Sequence, residues 1–176
     1  MTTVRTLTEQ DAIHFRALRL RGLQETPDAF GATYEEYELE LLATIVEQVR
    51  PKVSFPERFV LGAFAQAEQL VGVVGFMRER RQKGRHKASV WGMYVAPEVR
   101  GQGIGKMIMQ TLLQRAATIV GLEQIRLGVV TTNVAAHHLY LTLGFHVYGV
   151  EPHALKQDEQ YLDEELMVFS LSKREA

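Results

Sequence analysis

No cysteine occurs among the 176 residues of this chain. That absence excludes a disulfide scaffold, a thiolate metal site and a cysteine nucleophile together, without fixing the compartment. Long apolar runs are missing as well. Arg5, Glu9, Asp11, Arg16, Arg19 and Arg21 interrupt the first thirty residues, so neither a secretory core nor a membrane span is expected. There is no excess charge of one sign: 20 Lys and Arg stand against 21 Asp and Glu, for a net charge of −1. Such a balance offers no global field for nucleic acid or an anionic membrane, and neither is expected as a partner. Repeats and low-complexity tracts are also absent. The expectation is a cytoplasmic protein forming one domain over residues 1–176, long enough to bury a core without covalent help.

What the chain does have is periodicity. Residues 4–7 read as an edge strand, and Thr8 with Asp11 three positions later reads as a helix start of capping-box type. The helix should run to about Gln24 with Ala12, Phe15, Leu18 and Leu23 on one face, leaving Arg16, Arg19 and Arg21 mostly in solvent. A second helical pattern begins near Thr33 and runs irregularly through Tyr37, Leu41, Ile45 and Val49 before Pro51. Residues 59–64 and 70–76 then read as a hairpin, 79–87 as a charged loop and 88–95 as a further strand. From Ile104 the apolar residues Met107, Ile108, Leu112, Ala116, Ile119 and Val120 recur at helical steps until Gly121. Ile125, Leu127 and Val129 alternate as a buried strand, and Thr132 or Asn133 can cap a helix that stops at Gly144. Residues 145–150 and 166–171 supply two last strands. The expected fold is α/β with a mixed sheet flanked by helices, because a hairpin precedes the alternating second half.

The most informative stretch is Arg100-Gly101-Gln102-Gly103-Ile104-Gly105-Lys106, lying between a strand and a long helix. Glycines let backbone approach a ligand closely, and the first turn of a helix presents unpaired N–H groups and a positive dipole end. Together these make a cradle for a pyrophosphate. It is not a Walker loop, because Arg100 stands where that motif needs glycine and Met107 where it needs serine or threonine. Nor is it a dinucleotide fingerprint, since Lys106 occupies the third glycine position.

The loop does match Gln/Arg-x-x-Gly-x-Gly/Ala, and it resembles the acetyl-CoA loop of the GNAT N-acetyltransferase superfamily. Two flanking blocks strengthen the likeness. Trp91-Gly92-Met93-Tyr94-Val95-Ala96-Pro97 resembles the family's central strand, and Asn133-Val134-Ala135-Ala136 with Leu139-Tyr140 and Leu143-Gly144-Phe145 resembles its second signature. The resemblance covers residues 57 to 150 well and the two ends less specifically. It implies a mostly antiparallel sheet of about seven strands with about four helices, whose central strand is bulged and splayed from its neighbour. Acetyl-CoA is the implied cosubstrate. Its pantetheine would meet the backbone of Met93, Tyr94 and Val95, and its phosphates would meet Arg100, Gly101, Gln102, Gly103, Ile104, Gly105 and Lys106. Asn133, Ala136 and Tyr140 share one helix face, and the resemblance makes Tyr140 the proton donor to the departing thiolate. A homodimer is also compatible with it.

The implied reaction passes acetyl from acetyl-CoA directly to a primary amine of a small molecule or peptide. A lysine-like ammonium is neutral in only about one molecule in two thousand at pH 7, so a base is useful. Several family members place a glutamate on the central strand, but no carboxylate stands between Ala88 and Val95 here, and Ser89 is no strong base. Glu79, His86, Asp163, Glu164 and Glu165 are the candidates. The missing acid also supports a rival reading, an acyl-CoA-binding regulatory module of the same fold without turnover. For the acceptor side the resemblance points to Phe30, Tyr34, Glu35 and the segment 151–165. Metal is not expected, since adjacent His137 and His138 diverge by about 100° on a helix and no HExxH spacing occurs. The basic stretch Arg78, Arg80, Arg81, Lys83, Arg85 and Lys87 contains Glu79 and lacks interleaved aromatics, which argues against nucleic-acid binding.

Overall fold

Seven strands form one sheet in the computed structural model, which describes residues 2–51 and 57–171. They are β1 (Thr3–Thr6), β2 (Arg58–Phe64), β3 (Leu70–Arg78), β4 (Lys87–Val95), β5 (Gln124–Val130), β6 (His146–Gln157) and β7 (Gln160–Ser170). The spatial order is β1-β2-β3-β4-β5-β7-β6, antiparallel throughout except for the β4–β5 pair. Five α-helices accompany it: α1 (Ala12–Glu25), α2 (Tyr34–Glu38), α3 (Leu42–Val49), α4 (Ile104–Ala116) and α5 (Val134–Thr142). None of the described helices is long and apolar enough to cross a membrane.

Both faces of the sheet are buried in its middle, which is why β2 and β3 read as nearly continuous apolar runs. On one face Ile108, Met109 and Leu112 of α4 pack with Phe76, Ile125, Leu127 and Tyr140. On the other, Phe15, Leu18 and Leu23 of α1 pack with Tyr37, Ile45, Val73 and Tyr94. Each fully buried aliphatic side chain contributes roughly 1.5–3 kcal/mol, and this burial holds the helices against the sheet.

Four expectations need correction. The pattern after Thr33 is two helices, because a turn through Glu40 leaves Leu39 and Leu41 in solvent while Tyr37 and Ile45 both reach α1. Helix α4 stops at Ala116, and the chain turns so that the Val120 carbonyl accepts from Arg78. The last hairpin is longer than predicted, since β6 and β7 extend to a turn at Asp158 and Glu159. Finally, Arg19 is not in solvent. It stands four residues from both Phe15 and Leu23, on the buried stripe of α1, and is 7% exposed.

Arg78, counted above in a basic stretch, is also buried. Its guanidinium donates to Glu57, to the Arg85 carbonyl and to the Val120 carbonyl. It therefore acts as a structural clasp rather than as part of a positive patch.

Candidate active site

The wedge begins where a ladder ends. β4 and β5 pair in parallel at Lys87–Gln124, Ala88–Ile125 and Ser89–Arg126, and no further. Beyond Ser89 the strands separate and leave a cleft of about 470 Å³. Its walls include Val90 to Val95 on one side and Leu127 to Val130 on the other, closed by the loop before α4 and by α5.

A bulge shapes the β4 wall. Val73 pairs with Tyr94 but Gly75 pairs with Trp91, so β4 carries one residue more than β3 over this span. Gly92 absorbs the excess at φ +62°, where an L side chain is strained. Ala96 donates to Val71 across β3. By alternation along the strand, the backbone groups of Met93 and Val95 face away from β3, toward the unpaired side. The Val95 carbonyl already accepts from Arg100 Nε at 2.9 Å, which holds that side chain at the mouth of the cleft.

The glycine loop enters α4 with Gly101 at φ +76° and Gly103 at φ +78°, and open space surrounds both. Among the described residues, none of the six amides from Gly101 to Lys106 donates to a protein acceptor; intrahelical bonding resumes at Met107, which donates to the Gly103 carbonyl. Gly105 has a different task. A Cβ there would meet Met93 at 3.3 Å and Leu139 at 3.4 Å, so its absence lets α4 sit close to β4 and α5. Six unpartnered donors at a helix start form the anion cradle that the glycine spacing predicts.

On α5, Asn133 caps the helix through a hydrogen bond from the Ala136 amide, 3.2 Å. Tyr140 is 6% exposed and lies on the cleft wall, and its hydroxyl has no hydrogen-bond partner among the described residues. Burial pushes its pKa up to about 12. His137 on the same helix lies 3.1 Å from the Glu165 carboxylate, tying α5 to β7.

Of the predicted cofactor residues, all but Gln102 line this one cleft. The Gln102 side chain turns back to the Glu98 carbonyl. Tyr94 contributes backbone, while its ring packs against Gly22 and its hydroxyl donates to Glu25. Burial is the main reason its pKa is raised, to about 12, and the bond to the Glu25 carboxylate adds to it.

Phe30 lines the cleft as predicted, but Tyr34 and Glu35 do not. The Thr33 capping box starts α2 there, and the Tyr34 hydroxyl donates along it to Glu38. Among the candidate bases, Glu164 is the one set against the wedge. Its Oε2 would lie 2.7 Å from a Cβ on Gly128, a cleft residue of β5. Burial and then the neighbouring Glu151 raise its pKa.

Sequence reasoning placed Trp91 in the central-strand block without assigning it to the site, and it assigned no residue of the β5 wall there. Which residues a splayed neighbour contributes is a tertiary matter that no local motif carries. Arg19 was missed for another reason: charge outweighed its position in the apolar stripe.

The comparisons agree with this geometry. The sequence pattern of the Acetyltransferase (GNAT) family matches residues 21–145. N-acetyltransferase 8B of Rattus norvegicus is 35% identical over 83 residues, a stretch covering 47% of this chain and 37% of that protein. The chain thus spans well under half the length of that relative. An N-acetyltransferase from Staphylococcus aureus Mu50 superposes with a TM-score of 0.83 at 16% identity, covering 98% of this chain and 99% of the other. The yncA protein of Salmonella typhimurium, a putative acetyltransferase solved with its cofactor acetyl-CoA, superposes at 0.79 with 19% identity, covering 100% and 97%. At these identities the superpositions establish the fold.

Proposed function

Because this chain belongs to the Acetyltransferase (GNAT) family, we propose that it transfers acetyl from acetyl-CoA directly to a primary amine of a small molecule or peptide. The observation that carries this reading is the run of six amides from Gly101 to Lys106, without a partner among the described residues, at the mouth of the β4–β5 wedge. The family uses acetyl-CoA, and the cofactor's shape suits the site. Its diphosphate occupies the amide cradle with Lys106 and Arg100 beside it, and its pantetheine runs along the free edge of Met93 and Val95.

The thioester then lies near the bulge at Gly92. The amine nitrogen attacks the thioester carbon and a C–N bond forms. Free amides of the bulged strand stabilise the oxyanion that results. The C–S bond breaks next, and Tyr140 donates a hydrogen bond to the departing sulfur. Glu164 is the carboxylate best placed to take, through water, the proton that the ammonium must lose before its nitrogen can attack. The nitrogen's second proton passes to solvent as the C–S bond breaks. The position of Glu164 on β7, beside Gly128 of the β5 wall, supports this role in a site without an acid on the central strand. Proximity inside the wedge supplies much of the acceleration, and the acetyl group is never bonded to the protein.

The test combines calorimetry with acetyl-CoA and an amine panel assayed for acetyl-CoA-dependent thiol release. Saturable binding with amine-dependent release supports the proposal. Binding without release from any amine would favour the regulatory module, and no binding by folded protein removes both.

A further inference from the structure

Among the described residues, Arg19 is a buried cation without a counter-ion. It is 7% exposed, and its Nε and Nη1 have no hydrogen-bond partner there. No carboxylate among the described residues pairs with it. Glu25, on the same helix, is engaged by Arg21 and Tyr94. What surrounds the guanidinium instead is aromatic: its Cζ lies 4.8 Å from the Phe30 ring centroid and 5.5 Å from that of Tyr37. The Tyr37 hydroxyl donates to Gln48 and also stands within reach of the guanidinium, which it helps to hold charged.

Burying an unpaired guanidinium is costly, and cation–π contacts offset only part of that cost. Native structures satisfy such donors, so an orphaned pair calls for an occupant. Burial also lowers the pKa of Arg19, although an arginine stays charged near neutrality. The position of the orphaned Nη1 is informative. Nη1 lies 3.1 Å and Nη2 4.0 Å from where a Cβ on Gly92 would stand. The two-nitrogen end of the guanidinium therefore abuts the one residue of the β4 bulge that has no side chain. Gly92 and Phe30 both line the cleft. A planar anion reaching past Gly92 meets the orphaned Nη1 first, with Nη2 beside it, the two-nitrogen end of the guanidinium whose geometry suits a carboxylate.

We infer that Arg19 receives a carboxylate of the acceptor, so that the amine acetylated belongs to an amino acid or a close relative of one. This inference rests on the transferase reading and narrows its substrate class. Phe30 acts with Arg19 by holding the plane of the guanidinium.

The test compares L-amino acids with the amines left when their carboxylate is removed, leucine against 3-methylbutylamine and phenylalanine against phenethylamine among them. Two readouts are taken on the whole chain: thiol release with acetyl-CoA, and calorimetric binding with CoA saturating. Wild-type protein should favour the acid of each pair by about 10-fold or more, since an acceptor without the carboxylate leaves the donors unpaired. In Arg19→Met the ratio should fall toward one, with Arg19→Lys in between and a melting temperature no lower than wild type for the Met variant. A purely structural arginine would lower the melting temperature and leave the ratio alone.

A wild-type ratio near one overturns the inference by itself, whether or not the variants fold. So does a preference that survives in Arg19→Met, or in Arg19→Lys undiminished should the Met variant not fold. The two levels of the reading separate cleanly. Turnover without acid preference removes this inference and leaves the transferase. Acid-selective binding that depends on Arg19, with no turnover of any compound, removes the transferase and leaves the carboxylate site. Neither binding nor turnover removes both.

Discussion

Gly75 of β3 lies against the indole of Trp91 on β4, so closely that a Cβ on Gly75 would stand 2.0 Å from the ring. Trp91 is the only tryptophan of the chain and forms part of the cleft wall. Two results follow from one contact. Gly75→Ala must displace the ring or the strand, and overpacking of this kind costs about 1–3 kcal/mol. Its denaturation midpoint should fall, and its tryptophan emission should shift as the indole moves. An unchanged spectrum and midpoint would show that the two residues are not packed in this way. The same fluorophore should respond to acetyl-CoA in the unmodified protein.

Gly103 holds the turn into α4 at φ +78° with nothing nearby to obstruct a methyl group. Gly103→Ala therefore tests backbone conformation alone. A left-handed alanine costs roughly 1 kcal/mol, and the loop relieves that strain by turning its amides out of register. Acetyl-CoA affinity should fall about 5- to 10-fold, measured by calorimetry. An affinity equal to wild type would mean that the diphosphate is held elsewhere.

Tyr140 reaches the cleft with a hydroxyl that no group among the described residues engages, and its pKa is raised to about 12 by burial. A thiol ionises near ~8.5, so full proton transfer from tyrosine to the thiolate runs uphill, and the role is a hydrogen bond to developing charge. Tyr140→Phe should lower turnover by ~10- to 1000-fold, toward and below the lower part of the range for acid–base assistance. Acetyl-CoA affinity should barely change, because the interaction develops as the sulfur leaves. Turnover equal to wild type across the pH range removes Tyr140 from the reaction.

How much of this site was visible in the sequence depends on how local each feature is. The loop and α4 were legible because glycine spacing and a 3.6-residue period are properties of neighbours along the chain. Tyr140 was legible for the same reason, four and seven residues beyond Ala136 and Asn133 at the helix start. The wedge needed its partner strand: nothing near Ser89 says that its pairing with Arg126 is the last. Arg19 shows the limit of reading charge as exposure, since its spacing from Phe15 and Leu23 pointed inward while its type pointed outward. The long β6–β7 hairpin escaped because much of it is exposed on both faces, which erases the alternation that marks a half-buried strand.

Glu164 titrates above the ordinary glutamate range because burial and Glu151 disfavour its charged form. A base must be deprotonated to act, so kcat/KM should rise with pH through the raised pKa of this carboxyl before any later limb. Glu164→Gln should lower kcat/KM by about 10- to 100-fold and abolish that acidic limb, while leaving acetyl-CoA binding intact. A variant that keeps the limb at the same pH assigns it to another group.

Asp11 anchors the start of α1 far from the cleft, and its pH dependence has the opposite origin. Arg5 donates to both of its oxygens at 2.8 Å, and the Thr8 amide donates at 2.8 Å. The arginine bond is the largest reason that its pKa falls from 3.8 to about 2. A carboxyl whose folded pKa lies below its unfolded value stabilises the fold at pH above the unfolded pKa. That stability is lost as pH drops from about 4 toward 2, where the native carboxylate also takes up a proton. The contribution is about 1–2 kcal/mol once the exposure of Arg5 is discounted for solvent screening. Asp11→Asn should therefore be less stable than wild type in urea at pH 7, and the gap should close as pH approaches 2. A gap that stays constant from pH 7 to pH 2 would assign the loss to the helix cap alone and not to the Arg5–Asp11 pair.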